Sequence, residues 1–318
     1  MRTLIALPLV VVALASMGAS PHPPKRVNYA GIAWEATIEG AKARAVKEGR
    51  PILHLQTFGK LDDPYSCTNT RTLRTVLLAD PEFKKLLQNE VVPSWEMIRE
   101  VPKVTIDFRN GQKVTRTLKG NVAMYLCEPD GRVIDAFGGV VTPKDFVPVI
   151  RDSIRHLAGK THAEVSAFHR IRARAFQVAG LNAGKTVAEA PLLIAPSKPR
   201  SKQSTSQDPR RLEFEAAAAQ LFDASAEPMP MSASIRLGTG KTDGTPAELG
   251  MLAVQNESRM NLTAVRGVIH RWLASFDKLP SPTSAKDDMF ETILHVPYKD
   301  PYLGLFDVEL PGTPNPKG

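Results

Sequence analysis

Cysteine is scarce, with Cys67 and Cys127 the two thiols in 318 residues. Two cysteines would ordinarily suggest a single disulfide, and no Cys-x-x-Cys pair can be written. Aromatics make up 6% of the chain and nowhere interleave with clustered Arg and Lys, so a nucleic-acid-binding reading has no stacking platform to rest on. Beyond the first residues no apolar run is long enough to span a bilayer. Acidic residues are the minority, 33 against 41 Lys+Arg, and the resulting net charge of +8 is spread along the chain. Such a surface favours contact with something anionic, such as membrane phospholipid or a cell-wall polymer.

The seven histidines show no metal-ligand spacing. His162 and His169 share at best one helix face, without an acidic partner, which suits solvated or capping roles. Ala183-Gly184-Lys185-Thr186 lacks the first glycine of a phosphate loop, since Ala179 stands there. Asp62-Asp63 and Asp287-Asp288 are adjacent pairs that point apart, unsuited to joint acid–base work. No cofactor and no metal is expected.

What is present begins with an export-type leader over residues 1–20: Arg2, the apolar run Leu4 to Leu14, then small residues at Ser16-Met17-Gly18-Ala19. It predicts a periplasmic or secreted protein, with an uncleaved N-terminal anchor as the alternative. A Pro-rich basic tether spans 21–32. Trp34, Ile38, Ala41 and Ala45 fall at helical spacing before Gly49, and Ile52, Leu53 and Leu55 predict a strand running to Phe58. Cys67 then opens a helix with Leu73, Val76 and Leu77 on one face, and Phe83, Leu86 and Leu87 mark the next. Val91 to Trp95 is a strand that Pro93 assigns to an edge or a bulge. Asn110-Gly111 joins Val104–Phe108 to Val114–Leu118 as a hairpin, and Pro129-Asp130-Gly131 joins a second one. Thr142-Pro143 starts a helix towards His156.

Cys127 sits inside the strand Met124 to Cys127, far from Cys67, and reads as a buried apolar filler. After a basic helix over 158–195, opened by the capping box Thr161-His162-Ala163-Glu164, a Ser/Lys/Pro-rich linker covers 196–211. A mainly helical region over 212–318 follows, with Asn261 capping a helix whose face is Val265, Val268, Ile269, Trp272 and Leu273.

Taken together, the elements predict an α/β fold: a mixed sheet flanked by helices plus a small, mainly helical C-terminal region. Residues 33–157 resemble exported bacterial thioredoxin-like proteins. Trp34, Gly49-Arg50-Pro51-Ile52-Leu53, Cys67 ahead of a helix, and the Glu128-Pro129-Asp130-Gly131-Arg132-Val133-Ile134 turn carry the resemblance. It implies a thioredoxin-like sheet with Cys67 as nucleophile. The chain departs from the family at the second thiol, which is Thr70, and at the cis-proline, where Lys119-Gly120-Asn121-Val122 stands.

Two functions follow. In the first, Cys67 performs limited monothiol chemistry on a thiol-containing protein partner, with the Thr70 hydroxyl donating to the sulfur and Arg71, Arg74 and Lys60 lowering the thiol pKa against Asp62 and Asp63. In the second, the fold is a non-catalytic scaffold that binds an envelope protein.

Overall fold

The structure, a computed structural model, describes residues 26–182 and 246–303. The expected leader, the linker, the phosphate-loop-like stretch and the start of the region expected to be mainly helical, residues 212–245, lie outside the described residues.

A six-stranded mixed sheet forms the centre. In chain order its strands are β1 (Arg26–Tyr29), β2 (Ile32–Glu35), β3 (Ile52–Phe58), β4 (Val92–Arg99), β7 (Val122–Cys127) and β8 (Val133–Gly138). Across the sheet the order is β1-β2-β4-β3-β7-β8. Strands β2, β4 and β3 run parallel; β1, β7 and β8 make antiparallel pairs with their neighbours β2, β3 and β7. The strands β5 (Lys103–Asp107) and β6 (Lys113–Thr117) form a separate two-stranded ribbon, as the Asn-Gly turn predicts.

Local chemistry sets the helix ends. Thr37 accepts the Gly40 N–H at 3.1 Å to start α1 (Ile38–Glu48), and Gly49 ends it in the left-handed region. Trp34 is therefore not helical. The spacing of Trp34, Ile38, Ala41 and Ala45 imitates one helix face, but Trp34 is a buried residue of β2 and the N-cap lies after it. The sheet also begins earlier than the tether boundary implied, because Arg26–Tyr29 pairs with Ile32–Glu35.

Pro93 is neither at an edge nor at a bulge. It lies in β4, between β2 and β3, paired with Leu53. Val92 points its N–H at the Pro51 carbonyl of the β3 side, so the next residue turns its missing N–H the other way, where β2 first pairs at Ser94. Asp80 and Pro81 open α3 (Pro81–Asn89), and Thr142 and Pro143 open α4 (Pro143–Leu157) as expected. Thr161 and Glu164 form the reciprocal bonds of the expected capping box at the start of α5 (His162–Asn182).

Helices cover both faces. On one, Leu53, Leu55, Met124 and Leu126 meet Phe83, Leu86, Phe146 and Ile150 of α3 and α4. On the other, Phe58, Tyr125 and Ala136 meet α1 and the C-terminal helices α7 (Arg266–Ala274) and α8 (Pro282–Asp287), which follow α6 (Pro246–Met260) in the chain. The C-terminal helices are thus not set apart from the sheet. Val268, Trp272 and Phe290 share a hydrophobic cluster with Ile52, Phe58 and Cys67.

Asn261 does not cap a helix. It lies in a π-helical turn, Asn261–Val265, between α6 and α7, and donates to the Val140 carbonyl at 2.8 Å. The close seat requires Gly139, whose φ is +77° and whose Cβ would collide with the Asn261 amide. The expected apolar face, Val265, Val268, Ile269, Trp272 and Leu273, is buried.

Candidate functional site

Cys67 sits at the N-cap of α2 (Thr68–Thr72), which runs on into a π-helical turn, Leu73–Leu77. Its extended backbone turns the sulfur onto the first turn, where Sγ accepts the Thr70 N–H at 3.3 Å. The loop behind it is closed by the Cys67 N–H donating to the Phe58 carbonyl at 3.1 Å. The thiol therefore sits at the carboxyl end of β3, as the strand, loop, cysteine and helix order predicts.

Thr70 is buried beside it, 3.1 Å from Sγ. Its hydroxyl donates to the Phe58 carbonyl at 3.1 Å, and a hydroxyl has one proton to give. The sulfur is then the donor towards Thr70, the reverse of the expected polarity.

The segment Lys119-Gly120-Asn121-Val122 faces Cys67. Asn121 brings its carbonyl within 3.9 Å of Sγ, and its side chain accepts from the Asn69 amide at 2.7 Å. Gly120 has φ +108°, and a Cβ on it would stand 2.8 Å from the Cys67 Cβ and 2.9 Å from that of Phe58. The contact shuts the site; Cys67 is 0% exposed.

Electrostatics agree. Burial pushes the Cys67 thiol above its ordinary value, and the hydrogen bonds from Thr70, Asn69 and Phe58 pull it down without overcoming that. Two of the three expected cations, Arg74 and Arg71, are employed elsewhere. Arg74 donates to the Leu61 and Asp63 carbonyls, and Arg71 donates to Thr68 and Thr117. Cys127 is also a free, buried thiol, with its ionisation pushed well up by burial. It pairs across the sheet with Ile52 at the far end of β3, which separates it from Cys67 as expected.

A C-terminal strap lies at this same end of the sheet. Arg99, the last residue of β4, donates to the Tyr298, Asp300 and Pro301 carbonyls, and Lys119 holds the Leu303 carbonyl at 2.7 Å. Phe290 meets Phe58 edge to face with ring centroids 5.3 Å apart. The adjacent acids Asp287 and Asp288 do point apart, one to Tyr298 and Lys299, the other to the Trp272 indole N–H.

Two polar clusters escaped the sequence reading, one partly and one fully buried. In the first, His54 bridges Ser94 at 3.1 Å and Glu96 at 3.3 Å, and Gln56 donates to Glu96 at 3.2 Å. Hydrogen bonding to His54 holds the Glu96 carboxyl below its ordinary value against the opposing effect of burial. The visible signal was the alternation of His54 and Gln56 with Leu53 and Leu55, which places both polar residues on one sheet face.

The second corrects the reading of the histidines as solvated or capping and without an acid. His169 and His270 are buried with Nδ1 atoms 2.7 Å apart, and Asp135 lies in the same cluster. The ligand atoms of these three residues fall within 4.8 Å of one another. They are committed to the protein. Arg266 grips Asp135 through two hydrogen bonds of 2.6 and 2.5 Å, and Ser153 donates to it at 2.6 Å. The His169 Nε2–H donates to the Ile134 carbonyl, so its Nδ1 accepts from His270. Burial favours protonation of Asp135, but the charge and hydrogen bonds of Arg266, with His169 and Ser153, outweigh it and keep its pKa low. Burial holds both histidines below their ordinary value, with Arg266 adding to it. The cluster clamps α5 and α7 to β8.

Comparison with known proteins adds little. No family model and no solved structure matches the chain. Mouse Selenoprotein N is similar over 121 residues at 27% identity, covering 36% of this chain and 20% of that protein. The chain therefore spans about a fifth of the length of the curated relative it matches. No helix among the described residues is long and apolar enough to cross a membrane.

Proposed function

We propose that the chain is an exported, non-catalytic polypeptide-binding module on a thioredoxin-like scaffold, with Cys67 serving as a buried helix cap. The observation that carries this is the sealed thiol: Cys67 is 0% exposed, shut in by Gly120 and Asn121, with its ionisation raised by burial. A disulfide-exchange nucleophile needs an accessible thiolate. The thioredoxin-like assignment is supported by Cys67 at the end of a central strand and by the Gly120-Asn121 segment facing it. The leader motivates placing the protein in the periplasm or outside the cell.

A second reading, monothiol exchange at Cys67 with Thr70, is favoured by one feature. The Thr70 N–H already donates to Sγ and would stabilise a thiolate once the site opened. In that reaction the Cys67 thiolate attacks a partner disulfide, forming a mixed disulfide and releasing the partner's other sulfur as a thiolate.

The two separate in an assay of insulin-disulfide reduction driven by dithiothreitol. The native chain is expected to leave the rate at that of dithiothreitol alone, with Cys67→Ala indistinguishable from it. Acceleration by the native chain that disappears in Cys67→Ala would establish the monothiol reading instead.

A further inference from the structure

The β5–β6 ribbon presents an apolar face that no strand or helix among the described residues joins as a sheet neighbour. Its register pairs Ile106 with Val114 and Val104 with Arg116, while Thr105, Thr115, Asp107 and Lys113 occupy the opposite side. The same alternation carries Phe108 and Leu118 onto the apolar side. A lone two-stranded ribbon is marginal in water, and one that leaves its apolar side open invites a partner. Ile106 is 45%, Phe108 55% and Leu118 38% exposed. Nine large apolar side chains are exposed among the described residues, and these three with Tyr65 place four of them at the Cys67 end of the sheet.

The root of the ribbon is fixed, so the surface is preorganised. Thr117 donates to the Ser66 carbonyl at 3.3 Å, Arg71 reaches Thr117 at 3.5 Å, and the Lys103 ammonium stands 4.9 Å above the Tyr65 ring. Residues 103–118 carry four basic side chains against one acidic, and that acid, Asp107, is paired with Lys113 at 3.0 Å. Lys103 and Lys113 lie on the side opposite the apolar row, and Arg109 lies at the tip. The complement of such a ribbon is apolar on one side and acidic on the other.

We propose that this face binds an extended polypeptide segment in which apolar residues alternate with Asp or Glu. Alternation lets one row of side chains continue the apolar row of Ile106, Phe108 and Leu118 while the carboxylates fall on the opposite side, where Lys103 and Lys113 lie. The open edges of the ribbon offer main-chain hydrogen bonds to a strand laid alongside. The proposal names the partner class of the binding module inferred above and rests on that reading.

The test uses the full chain and a fluorescent ten-residue peptide of alternating Leu and Glu, with a Leu/Lys peptide as its control. The Leu/Glu peptide is expected to bind and the Leu/Lys peptide not. Phe108→Ser and Lys113→Glu should each weaken binding about tenfold or more, corresponding to about 1.4 kcal/mol. Phe108 and Lys113 are both exposed, so each variant should keep its thermal unfolding midpoint, and Lys113→Glu should in addition gain affinity for the Leu/Lys peptide. Equal binding by native and variant chains would overturn the proposal. So would sedimentation with phosphatidylglycerol vesicles, or self-association, lost in the same variants in place of peptide binding. Cys67→Ala should bind as the native chain does. Failure of the module reading shows in the insulin assay, and failure of this surface shows only here.

Discussion

Replacing Arg266 with methionine is expected to destabilise the protein by about 3–5 kcal/mol, because it strands the Asp135 carboxylate in a site where both partners are buried. Denaturant unfolding followed by tryptophan fluorescence would measure it, since Trp272 lies on the same helix as Arg266. Asp135→Leu with Arg266→Met should recover most of the loss, since a pair removed whole leaves no unpaired charge. The pH dependence gives a separate check. A carboxyl held low in the fold contributes stability that is full above its ordinary value of 3.8 and fades as pH falls through its folded value. The gap between native and Arg266→Met chains should therefore narrow only in strong acid. His169 and His270, both lowered, contribute in full above their ordinary value of 6.5 and lose that contribution as pH falls through their lower folded values. A native chain equally stable at pH values on both sides of that window would contradict the clamp.

Gly120→Ala is the second large effect. The backbone there has φ +108°, a region closed to a residue with a Cβ, and the added atom would press on Cys67 and Phe58. Strain of about 1–3 kcal/mol from the dihedral combines with overpacking of about 1–3 kcal/mol from the contact. The structure can relieve part of that by moving the Gly120-Asn121 segment off Cys67. The variant is therefore expected both to lose stability in denaturant titration and to expose the thiol to reagents. A Gly120→Ala chain as stable as the native one, with Cys67 still protected, would show that the segment does not seal the site.

Much of the sheet was legible because its strands announce themselves. Ile52 to Phe58 and Val122 to Cys127 are short apolar runs bounded by turn residues, and Asn110-Gly111 fixes its hairpin by turn chemistry alone. Trp34 misled because a buried strand residue four positions before Ile38 is indistinguishable by spacing from one more turn of helix. Pro93 misled because its missing N–H is harmless where the ladder to the neighbouring strand is made at the next residue, Ser94 with Glu35.

The position of Cys67 at a helix start was readable, but its burial was not. Closure depends on Gly120 and Asn121, more than fifty residues downstream, and at the same end of the sheet the C-terminal strap is held through Arg99 and Lys119. The polar clusters were hidden for a related reason. His54 and Gln56 alternate with leucines as a solvent-facing row would, yet helices from the other end of the chain cover that face, so the row had to find internal partners. His169 and His270 are 101 positions apart and share no local pattern.

The account turns on whether Cys67 is sealed in the native state, and thiol modification measures that directly. The native chain would be treated with 5,5′-dithiobis(2-nitrobenzoic acid) near neutral pH, with the modified residue located by peptide mapping. Cys67 is expected to react about 100-fold or more slowly than in the urea-unfolded chain, because reaction must wait for local opening and for ionisation of a thiol that burial has raised. Modification of Cys67 in the native chain as fast as in the unfolded one would contradict the sealed cap and return the site to thiol chemistry.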